Sequence, residues 1–175
     1  IKRQGQQIAR FFLDPFARQH KQGGAWMDSC KSKKKLQGEE PQTPVAYLIC
    51  NFTPPIGDKP SLLTHDEVTT LFHEFGHIMD AMSYNGEYSL QADTKSDFVE
   101  AMSQIFENWI WDYETLSSFA KHYKTGEPIP AALVEKIRAS DTFNQGFSTV
   151  EYLSSAILDM KLHNRSEPVT DPRAF

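Results

Sequence analysis

The feature that most restricts this chain is the run Leu71-Phe72-His73-Glu74-Phe75-Gly76-His77, which reads His-Glu-x-x-His inside a helical hydrophobic pattern. Two histidines four residues apart lie on one helical face about a turn apart, so both imidazoles reach one metal ion. Glu74, one position round from His73, is kept off the metal and beside a water bound to it, where a carboxylate serves as general base. With 6 His in 175 residues, such a spacing arises by chance in roughly one chain in seventy, so the surrounding sequence has to decide.

The preceding residues supply a helix start. Thr64-His65-Asp66-Glu67 has the form of a capping box, with Thr64 at the N-cap and Glu67 reaching back to it. Val68, Leu71, Phe72, Phe75, Ile78, Met79 and Met82 recur at threes and fours and predict a buried stripe beside the histidines. The metal face then lies at the edge of a core. A catalytic zinc takes three protein ligands and leaves one position to water, so a third donor is needed. Glu100 is the candidate. It stands 23 positions beyond His77, room for one helix to end and a second to return. Its own surroundings, residues 96–109, form a second helical pattern with Ser96 as candidate N-cap and Phe98, Met102, Ile105, Phe106 and Trp109 as apolar positions. Ser103, Gln104 and Glu107 follow Glu100 at three, four and seven, on its face, placed to orient the histidines through their other ring nitrogens. The bland alternative, core histidines satisfied by hydrogen bonds, leaves the Glu74 and Glu100 boxes without a reason. Of the other histidines, His65 reads as a first-turn helix residue near the site, and His20, His122 and His163 as surface groups.

At this point the chain resembles the thimet oligopeptidase family of zinc metallopeptidases, most closely its bacterial oligopeptidase A and dipeptidyl carboxypeptidase branch. The likeness runs through Gly23-Gly24-Ala25-Trp26-Met27-Asp28, residues 44–53, Leu63-Thr64-His65-Asp66-Glu67-Val68 and the His-Glu-Phe-Gly-His box. It continues in Asp97-Phe98-Val99-Glu100, Ser103-Gln104, Glu107-Asn108-Trp109, residues 122–130 and Leu158-Asp159-Met160. The resemblance implies one zinc ion per chain on His73, His77 and Glu100, Glu74 as the water-activating base, and short peptides as substrates. The family commonly has a proline where this chain has Met102 and a histidine near Asp80; both positions lie outside the ligand set. Family enzymes are several times longer. Their substrate-binding tyrosines and a histidine fall in a glycine-rich segment beyond Phe175, and a long helical half precedes Ile1. The chain reads as an excised catalytic segment, 1–175, of a longer peptidase, with little activity of its own expected while the rest of the parent enzyme is absent.

The fold class expected is α+β, mainly α and zincin-like: a small antiparallel sheet in residues 1–60, then the metal-binding helix pair and further helices in 61–175. Residues 8–12, 25–30 and 45–52 are rich in apolar and aromatic residues bounded by Gly or Pro, and predict the strands. The third is expected near the metal helix, where it could pair with an extended substrate backbone. Residues 51–60 form a turn-rich connection, 84–95 a loop, and 114–123, 131–139 and 142–163 further helices. The last dozen residues are expected to be loosely held. Lys31-Ser32-Lys33-Lys34-Lys35 reads as a solvated hairpin loop rather than a docking patch, since Glu39 and Glu40 cancel much of its charge. Trp26, Trp109 and Trp111 read as core rather than substrate-stacking residues; Tyr47 and Tyr84 stay open.

Composition narrows the partners. A net charge of −5 argues against a nucleic-acid surface or an anionic membrane as general partner. No apolar run approaches bilayer length, and no amino-terminal segment has the form of a secretory signal. Cys30 and Cys50 are too few for a disulfide framework and point to a reduced cytoplasmic setting, with a single bridge between them left open. Three functional classes compete: a zinc peptidase, an inert metal-binding module, and a globular domain with a chance motif. Retention of Glu74 favours the first, because an inert zinc site needs ligands but no base.

Overall fold

Strict alternation makes the central strand. In a computed structural model that describes residues 1–86, 88, 94–171 and 173, Ala46, Leu48, Cys50 and Phe52 of Val45–Phe52 point to a buried face. The intervening Tyr47 turns outward, as the two-residue period of a strand requires. Five strands precede the first helix: β1 (Lys2–Arg3), β2 (Gln6–Gln7), β3 (Arg10–Phe16), β4 (Trp26–Lys31) and β5 (Val45–Phe52). The first two form a small antiparallel ribbon, and the other three a sheet in the order β3-β5-β4.

That sheet corrects the expectation of a purely antiparallel one. β4 pairs with β5 antiparallel, Met27 opposite Leu48, but β3 pairs with β5 parallel, Leu13 opposite Leu48. The reason is topological: β4 and β5 form a hairpin, which leaves the other edge of β5 to β3. Two chain reversals separate β3 from β5, so the two run the same way. β3 also starts later and extends further than residues 8–12, and its register shifts between Asp14 and Phe16, where Pro15 cannot donate to the ladder. The reversal after β3 is tied down by Lys21, whose ammonium group donates to the carbonyls of Asp14 (2.9 Å), Phe16 (2.8 Å) and Cys50. It also pairs with the Asp14 carboxylate at 3.1 Å. One cation thus satisfies orphan carbonyls on both β3 and β5.

Helix α1 (His65–Ser83) lies across the buried face of the sheet. Its capping box is complete: the Glu67 amide donates to Thr64 Oγ1 (3.2 Å), and the Thr64 amide donates to Glu67 Oε2 (2.8 Å). Ile78 and Met82 are buried with Ala46, Leu48, Cys50 and Phe52, and Leu71, Phe75 and Ala81 pack at the margin. Each large side chain so removed from water contributes about 1.5–3 kcal/mol. Helix α2 (Val99–Glu107) packs on α1, with Phe75 at 6.0 Å from Phe106 and at 5.6 Å from Phe11 of β3. It begins later than the sequence suggested: Ser96 lies in a turn, and the N-cap position is Phe98, which supplies no side-chain cap. A 3-10 turn (Asn108–Trp111) follows, then α3 (Tyr113–Phe119) with Asp112 capping the Thr115 amide at 2.8 Å. Trp109 is 53% exposed rather than core, while Trp111 meets His65 in a tilted ring contact at 4.3 Å.

The chain divides into two compact units, Ile1–Ile129 and Pro130–Phe175. The second holds α4 (Ala131–Asp141) and α5 (Gln145–His163), the latter three residues later in starting than expected. Of the loop expected at 84–95, residues 84–86, 88, 94 and 95 carry no regular structure, and 87 and 89–93 lie outside the described residues. So do 172, 174 and 175 of the carboxy-terminal stretch. No described helix is long and apolar enough to cross a membrane.

Both cysteines are free, so no bridge joins them; Cys30 is exposed and Cys50 buried. Burial pushes the Cys50 thiol up to about 11, with the nearby Glu74 carboxylate adding to the effect. In a native-state thiol titration at pH 8, Cys30 should react and Cys50 should remain protected until the chain unfolds. Two thiols reacting at the same rate would contradict this packing.

Candidate metal centre

The metal-ligand candidates come together on the α1–α2 face. The Nε2 atoms of His73 and His77 lie 3.1 Å and 3.3 Å from Glu100 Oε2, and the three ligand atoms are all within 4.8 Å of one another. Four-residue spacing on α1 stacks the two imidazoles, whose rings meet edge to face at 5.0 Å. Glu100 is placed by the first turn of α2.

The chemistry of the donor set suits a metal ion. Glu107 Oε1 lies 2.6 Å from His73 Nδ1, the contact by which a carboxylate orients a ligating imidazole through its other ring nitrogen and leaves Nε2 for the metal. Two imidazole nitrogens and a carboxylate oxygen at one point are the donor types zinc takes. Ligand bonds of about 2.0–2.2 Å in a tetrahedron put donors roughly 3.3–3.6 Å apart. The His77 spacing of 3.3 Å falls on that edge and the His73 spacing of 3.1 Å lies just short of it, and the residues fit a divalent metal such as zinc.

Of the three residues expected to support the ligands, the structure brings two to the centre. Ser103, wholly buried, donates from Oγ to Glu100 Oε2 at 2.7 Å, and Glu107 holds His73. Gln104 is turned to solvent, and among the described residues its side chain makes no hydrogen bond to the centre. Four residues beyond Glu100 on α2, it falls past the edge of the face that α1 covers. His65 sits at the start of α1 against Trp111, away from the ligand atoms, and His20, His122 and His163 are exposed.

Glu74, one position round α1 from His73 and toward β4, lines the same cleft and is 7% exposed. Burial raises its carboxyl above the ordinary value, the two histidines oppose that rise, Glu100 adds to it, and a hydrogen bond from the Met27 backbone lowers it again. Glu100, by contrast, is held below its ordinary value by the Ser103 hydroxyl, with His77 and His73 assisting against desolvation. Two carboxylates at one site are thereby pushed apart, one toward holding a proton and one toward charge.

Both border an open cleft of about 720 Å³ whose floor is α1 and whose side is β4: Ala25, Trp26, Met27, Asp28 and Ser29 line it consecutively. β4 is the outermost strand of its sheet, while β5 is paired on both edges. The expectation that residues 45–52 could pair with a substrate is therefore corrected. Its edges are taken by β3 and β4; among the described residues β3 and β4 are the outer strands, and β4 is the one that borders the cleft. Sequence reading missed β4, Met27 and Asp80 as cleft residues; an edge is a property of the assembled sheet, and no local pattern announces it.

Two measurements follow. Ser103→Ala and Glu107→Ala should each weaken metal binding by about 10–100-fold in chelator competition, since each removes the hydrogen bond that aims a ligand; unchanged affinity in both would refute the assignment. In the metal-free chain, Glu74 keeps its proton to higher pH folded than unfolded, so its contribution to stability falls as pH rises above its ordinary value of 4.5. Glu74→Gln should then melt higher than wild type at pH 7, with the difference vanishing below about pH 4, where the carboxyl is protonated in both states. A pH-independent difference would contradict the buried-carboxyl account.

The family model described as Peptidase family M3 matches residues 1–173. Oligopeptidase A of Haemophilus influenzae is 45% identical over 157 residues, 88% of this chain and 23% of the relative. Organellar oligopeptidase A of Arabidopsis thaliana is 43% identical over 171 residues, 94% of this chain and 22% of the relative. Dipeptidyl carboxypeptidase of Salmonella typhimurium is 39% identical over 166 residues, 94% of this chain and 24% of the relative. The chain thus spans about a quarter of the length of the curated relatives it matches. A helix that presents two histidines and a buried glutamate, a second helix that returns a carboxylate to them, and a match over nearly the whole chain lead to one conclusion: the chain belongs to peptidase family M3.

Proposed function

We propose that this chain carries the metal- and water-handling part of a zinc metallopeptidase that hydrolyses short peptides, with a zincin-like arrangement of sheet and helices. The observation that carries the reading is the convergence of three donor atoms, from His73, His77 and Glu100, in the same cleft that Glu74 borders. His73, His77 and Glu100 would hold one zinc ion, which supplies a Lewis acid for the scissile carbonyl and for the attacking water.

The chain's own residues perform the rest. Glu74 takes the proton of the attacking water and passes it to the leaving amine, a task for which its raised carboxyl is suited, because desolvation makes its carboxylate the better proton acceptor. The low exposure of Glu74 keeps competing water away. Ser103 and Glu107 hold Glu100 and His73 in their working orientations. The outer edge of β4 offers main-chain donors and acceptors to an extended peptide along the cleft, a mode that selects backbone more than side chain and suits an enzyme of short, varied peptides. Two free thiols are in keeping with a reducing, cytoplasmic location. A cleft walled by this segment alone is open on its far side, and the relatives' additional length is the natural source of oxyanion donors, each worth about 10²–10³ in rate. The 175-residue chain by itself is accordingly expected to bind zinc and turn over slowly.

The test is a paired measurement on a polypeptide of the relatives' length that carries this segment. Glu74→Gln should retain stoichiometric zinc by elemental analysis and lose hydrolysis of a short internally quenched peptide, by at least about 10³-fold. His73→Ala, His77→Ala and Glu100→Ala should lose metal and activity together. Wild-type turnover by the Glu74→Gln form would overturn the mechanism, and full metal content in a Glu100→Ala form would overturn the ligand set.

A further inference from the structure

We propose that Gly76 is a positioning residue for the metal, fixing the α1–α2 separation at which Glu100 reaches the lone pairs of His73 and His77. The inference rests on the zinc reading above and adds to it a residue that neither binds metal nor touches substrate.

A Cβ at Gly76 would lie 2.6 Å from Ser103 Cα, 2.8 Å from the Met102 carbonyl oxygen and 3.2 Å from its carbon. All three are backbone atoms of α2, so no side-chain rotation relieves the clash. Glycine is not needed here for conformation, since Gly76 lies in mid-helix and is absent from the positive-φ residues. Mid-helix glycine is disfavoured against alanine, which leaves the close approach as its physical reason. The contact point is also central to the site. Gly76 precedes His77 and stands one turn after His73, and Ser103 opposite it donates to Glu100 Oε2 at 2.7 Å. One turn further along α2, Glu107 reaches His73 Nδ1 at 2.6 Å. The hydrogen bond that joins the two helices at the donor set, Glu107 to His73, crosses the seam beside this residue.

The consequence is a mismatch of tolerances. Carbon atoms rest at about 3.5–4.0 Å, so one methyl group at Gly76 parts the helices by roughly 1 Å. Metal–ligand distances tolerate about 0.2 Å. A displacement that a helix interface absorbs is several times what the ligand set absorbs, so metal geometry should fail well before the fold does.

The experiment compares wild-type chain, Gly76→Ala and the core variant Leu48→Val by thermal melting, zinc affinity in chelator competition, and the visible spectrum of the cobalt-substituted protein, which reports ligand number and geometry. Gly76→Ala is expected to weaken zinc binding by about 10–100-fold and to alter the cobalt spectrum. Leu48→Val should lower the melting temperature with zinc affinity and spectrum unchanged. A folded Gly76→Ala chain that binds zinc within about threefold of wild type, with the wild-type cobalt spectrum, overturns the proposal. If Gly76→Ala does not fold, Ser103→Thr serves instead, since it keeps the hydroxyl and adds one methyl to the buried residue opposite. Loss of zinc affinity in a folded Ser103→Thr chain supports the proposal, unchanged affinity overturns it, and failure of both variants to fold overturns it by making Gly76 a requirement of the helix pair itself. A wild-type chain without zinc affinity would overturn the peptidase reading first, an outcome distinct from all of these.

Discussion

The convergence of three side chains on one small volume is the constraint on which the rest of this structure depends. His73, His77 and Glu100 bring two ring nitrogens and a carboxylate oxygen within 4.8 Å of one another, and the surrounding residues can be understood as what holds them in place. Ser103 lowers the cost of the charged carboxylate by donating to it. Glu107 holds the His73 ring through Nδ1, with Nε2 on the Glu100 side. Both come from α2, so the helix that brings the third donor also brings its supports, and the close approach over Gly76 makes the arrangement possible.

The sheet contributes a platform and an edge. Its buried face takes the apolar side of α1, so that the helix is anchored by Ile78 and Met82 while His73 and His77 are left at the rim. Packing thus fixes the rotation of α1 about its axis, and with it the direction of both imidazoles. Glu74 follows from the same rotation: one residue round from His73, it is turned inward against β4, desolvated, and in reach of the Met27 backbone. The outer edge of β4 is unpaired among the described residues, and β4 lines the cleft. Lys21 has no part in the chemistry, yet by gathering carbonyls from β3 and β5 it secures the turn from which β4 departs.

Membership of peptidase family M3 gives these parts a common setting. The chain corresponds to about a quarter of each relative, and within that quarter lie a candidate donor set, a buried carboxyl and a strand edge. The separation is physically reasonable. Metal geometry needs tenths of an ångström and is built from two adjacent helices and a short sheet, whereas enclosure of a peptide needs walls on several sides and more chain.

Much of α1 was legible because its signals are local. A capping box, a 3.6-residue stripe and two histidines at i and i+4 act within one helix, where spacing alone sets which side chains share a face. The free cysteines, the 45–52 strand with its alternating burial, and the candidacy of Glu100 followed from the same kind of reasoning. Gln104 shows its limit, since a position on the right helical face still misses the site where the neighbouring helix ends its coverage. The parallel pairing of β3, the exposure of Trp109, the late start of α2, the free edge of β4 and the backbone contact at Gly76 were not legible. Each depends on which element lies next to which, and that is decided by burial and pairing between segments far apart in the chain. The sequence by itself determined which residues could hold a metal and which could act on water; only the tertiary structure decided that their donor atoms meet, because the meeting distance is set by how closely two helices pack.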